Sequence, residues 1–201
     1  MKKEIKQLKE LERLGGGMRL AAEGWDEDWK TLIATLLSAR SLDETTIKYS
    51  AKLFERYPDV DLLSKARVAD VEKIIRPINF YRNKSRNVVV CSKQLVERYS
   101  GVPPRDFDKL VELRGVGRKT ANVFLAVENF DEIGVDTHVN YISHFLEWTS
   151  GRGQEEVERD LKKLFPRKYW RSINYILVKF GKTYTSRREK DVVLTKIRSL
   201  K

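Results

Sequence analysis

With 201 residues the chain can bury a sizeable core and can hold one compact domain or two small lobes. It is 41% hydrophobic and 34% charged, and forty Lys and Arg against twenty-nine Asp and Glu leave a net charge of +11, which points to a polyanionic partner, nucleic acid first. A single cysteine, Cys91, excludes an internal disulfide framework and any multi-cysteine metal site, and no apolar run approaches the ~20 residues of a bilayer span.

The start, MKKEIKQLKELERL, is too polar for a secretory signal, and its Ile5, Leu8, Leu11 and Leu14 recur at helical spacing. Three glycines, 15 to 17, make a turn before a second helical stretch through Trp29, Leu32, Ile33, Leu36 and Leu37. Asp43 is the expected N-cap of a helix from Glu44 to about Tyr57, which Pro58 ends. A short helix over about 68–75 stops before Pro77, and a long amphipathic one runs from about Tyr81 to Tyr99. Helices are then predicted over 106–113, 120–127, 137–149, 154–164, 168–181 and 188–200. No β-branched runs alternate with turn signals, so the expected class is all-α.

The stretch LRGVGRKTANVFL, 113 to 125, breaks two helices with Gly115 and Gly117 and places Arg118 and Lys119 at the start of the second. Glycines permit a tight turn whose amide groups point outward at the positive end of a helix, which suits a phosphate. A hairpin packed only on its own protein explains the glycines equally well. It is not a nucleotide P-loop, because Arg118 separates Gly117 from the lysine. Lys119 is harder to explain as packing, since the helix dipole disfavours a cation there while making the neutral, nucleophilic amine more available. In IGVDTHV, 133 to 139, Ile133 and Val135 look buried and Asp136 reads as a helix cap or as a functional carboxylate.

LVELRGVGRKTANVFLAV together with IGVDTHV resembles the helix–hairpin–helix DNA glycosylase superfamily, and its endonuclease III branch most of all. WKTLIATLLSARSLDETT (29 to 46) resembles the family's first barrel helix and following loop, and INFYRNKSRNVV (78 to 89) its Ile-Gly-Leu-Tyr-Asn-x-Lys-Ala stretch. The resemblance implies a two-lobed fold, with a six-helix barrel lobe over residues 25–131 and a second lobe built from 1–24 and 132–201. It implies a base-excision glycosylase with AP lyase activity, working on double-stranded DNA with a damaged base or abasic site. By motif position Lys119 is the nucleophile and Asp136 the assisting carboxylate. Arg114, Gly115, Gly117 and Arg118 would hold DNA phosphates, with His138 a further contact and room for a monovalent cation at the hairpin. Arg40 stands where the family has a gap-filling Gln, and Phe80 where it has an apolar wedge. Such a protein is expected to be a monomer, cytoplasmic and associated with the nucleoid.

Arg114 replaces the usual hairpin proline, Asn79 a glycine, and Asn140-Tyr141 a Phe-Arg pair. Many endonuclease III relatives end in four cysteines that hold an iron–sulfur cluster, whereas VKFGKTYTSRREKDVVLTKIRSLK has none, so no cluster is expected and no cofactor is required. An oxidised pyrimidine is the favoured lesion. The alternatives are 8-oxoguanine, uracil or thymine in a mismatch, or a non-catalytic helix–hairpin–helix DNA-binding module.

Overall fold

The structure, a computed structural model, describes residues 2–200, and every regular element among them is helical. The elements are α1 (Lys3–Leu14), α2 (Asp28–Ser38), α3 (Asp43–Arg56), α4 (Val60–Ser64), α5 (Val68–Ile75) and α6 (Tyr81–Tyr99). They continue with α7 (Phe107–Val111), α8 (Arg118–Val127), α9 (Thr137–Phe145), α10 (Gln154–Leu164), a 3-10 turn at Arg167–Tyr169, α11 (Trp170–Thr183) and α12 (Arg187–Arg198). The chain divides into two compact units, Arg19–Phe124 and the segment up to Met18 together with everything from Leu125 onward.

In the central unit α6 is the spine, packing against α4, α5 and α2, while α3 lies on α2 and α5. Leu32, Ile33, Leu37, Leu53, Leu63, Val71, Ile75, Val88, Cys91 and Leu95 are buried there. Trp25 and Trp29 both meet the Phe54 ring edge-on, at centroid distances of 4.9 and 5.2 Å. The starts of α3 and α4 differ from the sequence expectation. Asp43 is the first helical residue of α3, because the extended Leu42 occupies the cap position. The one-turn α4 escaped the periodicity argument, since five residues cannot display a 3.6 period; its start is set by the Asp59 carboxylate accepting the Leu62 amide at 2.7 Å.

In the other unit α1 packs on α11 and α12, and α11 on α9. Leu8, Leu11, Val139, Ile142, Val157, Leu161, Ile173, Leu177, Phe180 and Leu194 form a single apolar cluster. Buried Gln7 ties the chain's ends together. Its amide donates to the Ile197 carbonyl at 3.3 Å, and its Oε1 accepts the Trp148 indole N–H at 2.8 Å. Helix α9 ends at Phe145, short of the expected 149, where Glu147 turns the backbone to φ +61°.

Candidate active site

The hairpin between α7 and α8 is braced from α6. The Arg114 amide donates to Gln94 Oε1 at 2.7 Å, and the Arg114 guanidinium donates to Asn87 Oδ1 at 3.2 Å. Asn87 and Gln94 are seven residues apart, two turns along one face of α6. Sequence reading passed over both, although that spacing was visible. Arg114 thus keeps the hairpin braced through its amide and side chain where the family pattern has a proline. The turn itself closes with Val116 donating to the Leu113 carbonyl at 3.0 Å.

Gly115 and Gly117 do different work. Gly115 has φ +82°, and a Cβ there would lie 2.7 Å from the Asn87 Cβ, so both conformation and space require glycine. A Cβ at Gly117 would meet no protein atom within 4 Å. Nothing inside the protein asks for glycine there, and the backbone at Gly117 is open to approach from outside. The first N–H groups of α8 have no acceptor within the helix, which is the geometry of an anion site. Beside the hairpin lies a cleft of about 400 Å³ lined by Asn83, Arg86, Asn87, Arg114 and Gly115. Arg118 stacks on Phe107, its Cζ 4.8 Å from the ring centroid. Lys119 is the second residue of α8, half-buried, in a first turn that contains no acidic residue.

Arg40 and Phe80, distant in sequence, come together. Both adopt the left-handed conformation, at φ +55° and +59°, and the Arg40 Cζ lies 5.8 Å from the Phe80 ring centroid. Phe80 is 58% exposed, against the usual preference of a phenylalanine for the core. Left-handed backbone at a non-glycine residue costs about 1–2 kcal/mol. Two such residues side by side, one an exposed aromatic, are what a surface held ready for a ligand shows.

The candidate carboxylate lies in the other unit. Asp136 caps α9, its Oδ1 accepting the Val139 amide at 2.8 Å. The preceding loop is pinned at two carbonyls: buried Asn174 of α11 donates to Gly134 at 2.7 Å, and Gln154 of α10 donates to Val135 at 3.0 Å. Ile133 and Val135 are buried, as the sequence indicated. His138, half-buried, has its imidazole packed against Gly181 of α11, where any larger side chain would strike it.

The profile of the HhH-GPD superfamily of base excision DNA repair proteins matches residues 33–167. Endonuclease III of Thermotoga maritima is 44% identical over 158 residues, covering 78% of this chain and 74% of that protein. Endonuclease III of a Synechocystis species is 36% identical over 160 residues, covering 79% and 73%. A solved structure of a trapped covalent intermediate of endonuclease III with DNA, an estranged-adenine complex, aligns with a TM-score of 0.84 at 32% identity over 94% of this chain and 90% of that one. The chain belongs to the HhH-GPD superfamily. The matched region contains the hairpin, Arg40, Phe80, Lys119 and Asp136.

An iron–sulfur cluster of the kind many endonuclease III relatives hold does not fit the residues of this HhH-GPD chain. Its one cysteine, Cys91, is enclosed in α6, where burial pushes the thiol up to about 12. No group of three or more His, Cys, Asp and Glu among the described residues could hold a metal ion. No helix among them is long and apolar enough to cross a membrane.

Proposed function

We propose that this protein is a base-excision DNA glycosylase with AP lyase activity, in which Lys119 is the nucleophile and Asp136 the assisting carboxylate. The observation that carries the reading is Lys119 itself: a lysine set against the dipole in the first turn of α8, directly after a glycine hairpin open to an outside ligand. The neutral amine of Lys119 bonds to the sugar's anomeric carbon as the bond to the base breaks and the base leaves with the electron pair. Opening of the sugar ring gives the Schiff base, and loss of a proton from the adjacent carbon then expels the 3′ phosphate. Asp136 stabilises positive charge on the sugar and takes up the proton that the lysine sheds.

The target nucleotide must leave the stack to reach these groups. Phe80 fills the hole with its ring, while Arg40 offers planar donors to the orphaned base or a phosphate. The hairpin amides around Gly115 and Gly117 hold a backbone phosphate, with Arg114 and Arg118 adding positive charge beside it. His138, its imidazole packed on Gly181 near the start of α9, is a further DNA contact. A monovalent cation at the hairpin would draw on backbone carbonyl oxygens; those of Leu113 and Gly117 already accept the amides of Val116 and Ala121. No step passes through it, and none passes through an iron–sulfur cluster. The substrate is a duplex carrying an oxidised pyrimidine, the protein acts as a monomer with two lobes near 25–131 and 1–24 plus 132–201, and it works at the nucleoid.

The test is borohydride reduction of the protein on abasic duplex DNA. A covalent adduct that disappears in Lys119→Gln, with duplex binding retained, supports the assignment. An undiminished adduct from Lys119→Gln places the nucleophile elsewhere, and no adduct from the wild type leaves a non-catalytic binding module.

A further inference from the structure

Lys84 is a buried lysine, 6% exposed, that the chemistry above does not use. From the first turn of α6 its Nζ donates to the Leu37 carbonyl at 2.8 Å, the Ala39 carbonyl at 2.6 Å and Ser41 Oγ at 2.9 Å. The two carbonyls belong to the end of α2, where helix carbonyls lack partners and the dipole favours a cation. Asn79 completes the pattern, its Nδ2 donating to the Arg40 carbonyl at 2.8 Å. Four acceptors on both sides of Arg40, and at Arg40 itself, are thereby held by two side chains that flank Phe80. Asn79 stands where the resemblance led to a glycine.

We propose that Asn79 and Lys84 are positioning residues that lock the Arg40 turn to the Phe80 turn, making the two side chains one preformed wedge that enters the duplex as a unit. The wedge then meets DNA already in its left-handed backbone geometry instead of acquiring it on binding. The inference rests on the reading of Arg40 and Phe80 as the groups that fill the vacated stack. A side chain that only supports the fold would impair every substrate alike. A side chain that positions the wedge impairs only substrates with a stack to repair.

The experiment compares base excision from a duplex with cleavage of single-stranded abasic DNA, for Asn79→Ala, Lys84→Met, Arg40→Ala, Phe80→Ala and the double variant Asn79→Ala/Arg40→Ala. A 2-aminopurine opposite the lesion reports wedge insertion by fluorescence. Asn79→Ala is expected to lower duplex excision and the fluorescence response by about fivefold, the scale of one net hydrogen bond. Cleavage of single strands should be unchanged, and Lys84→Met should follow the same pattern. The double variant should lose less than the two single losses combined, because part of what the clamp positions is already gone in Arg40→Ala. Duplex-selective losses in Arg40→Ala and Phe80→Ala, with none in Asn79→Ala and Lys84→Met, overturn the clamp and leave the gap-filling reading standing. Additive losses in the double variant also overturn the clamp. Equal losses on both substrates in Arg40→Ala and Phe80→Ala overturn the gap-filling reading and the clamp with it. Asn79 is exposed, so its variant decides the matter even if Lys84→Met folds poorly.

Discussion

Lys119 and Asp136 both stand at the start of a helix, yet they relate to it in opposite ways. Asp136 is where a helix wants an acid: it caps α9 through the Val139 amide and sits on a loop pinned by Asn174 and Gln154. Lys119 is where a helix does not want a cation, in a first turn with no acid. One residue therefore sits where the helix dipole favours its charge, and the other where the dipole opposes it. The difference separates fold from chemistry and predicts different costs for removing each.

The largest effect is expected at Lys119. Lys119→Gln should abolish strand cleavage while its Tm stays level or rises slightly, since the dipole penalty of about 0.3–1 kcal/mol is relieved. A clear fall in Tm would mean that the lysine supports the fold. Asp136 comes next, and here two substitutions divide the roles. Asparagine caps a helix about as well as aspartate, so Asp136→Asn should keep its Tm and lose on the order of 10²-fold in base excision. Asp136→Ala should add a stability loss of about 1 kcal/mol, or a Tm lower by roughly 2–4 °C. Excision by Asp136→Asn close to wild type, measured as single-turnover rates, would return this residue to a cap.

The same contrast explains what could be read without coordinates. Helices α5, α6 and α10 fall where periodicity and Pro77 placed them, because their signals are local. The hairpin was legible too, since glycine spacing and a misplaced lysine are sequence features. The bracing was not. Asn87, Gln94, Asn174 and Gln154 act on backbone atoms far away in the chain, and an amide side chain in a helix gives no hint of its partner. Arg40 and Phe80 were singled out by motif position, but their shared left-handed backbone was not legible, because local preference runs against it and the bonds that Asn79 and Lys84 make to the Arg40 turn are tertiary.

Between the two glycines of the hairpin a smaller contrast is expected. Gly115→Ala places a Cβ against Asn87 at a left-handed φ, and should cost about 1–3 kcal/mol, read as a Tm several degrees lower. Gly117→Ala meets only open space, so its Tm should stay within about a degree of wild type. The new methyl stands where a DNA phosphate would approach, so Gly117→Ala should bind duplex DNA more weakly and show a shallower dependence of log affinity on log salt. Unchanged affinity for Gly117→Ala would break the phosphate reading of the hairpin while leaving Gly115 as a purely conformational requirement.

A further effect is expected at Lys84, whose side chain is buried where that of Lys119 is half-buried. Burial lowers its pKa from 10.5 to about 8, because taking the charged form out of water costs more than its carbonyl and hydroxyl partners return. The folded state therefore releases this proton before the unfolded chain does. Between about pH 8 and 10.5 the unfolded chain holds more protons at this site, so the site's contribution to stability grows as pH rises through that window and is lost as pH falls below about 8. Every other titrating group is common to wild type and Lys84→Met, so the Tm difference between the two isolates this one. That difference is expected to shift in favour of the wild type by on the order of a few degrees from pH 8 to 10.5. A difference that stays flat across the window would mean that Lys84 keeps its proton throughout, held by Leu37, Ala39 and Ser41 more tightly than burial opposes, and the clamp on the Arg40 turn would then be charged at every pH at which the protein is folded.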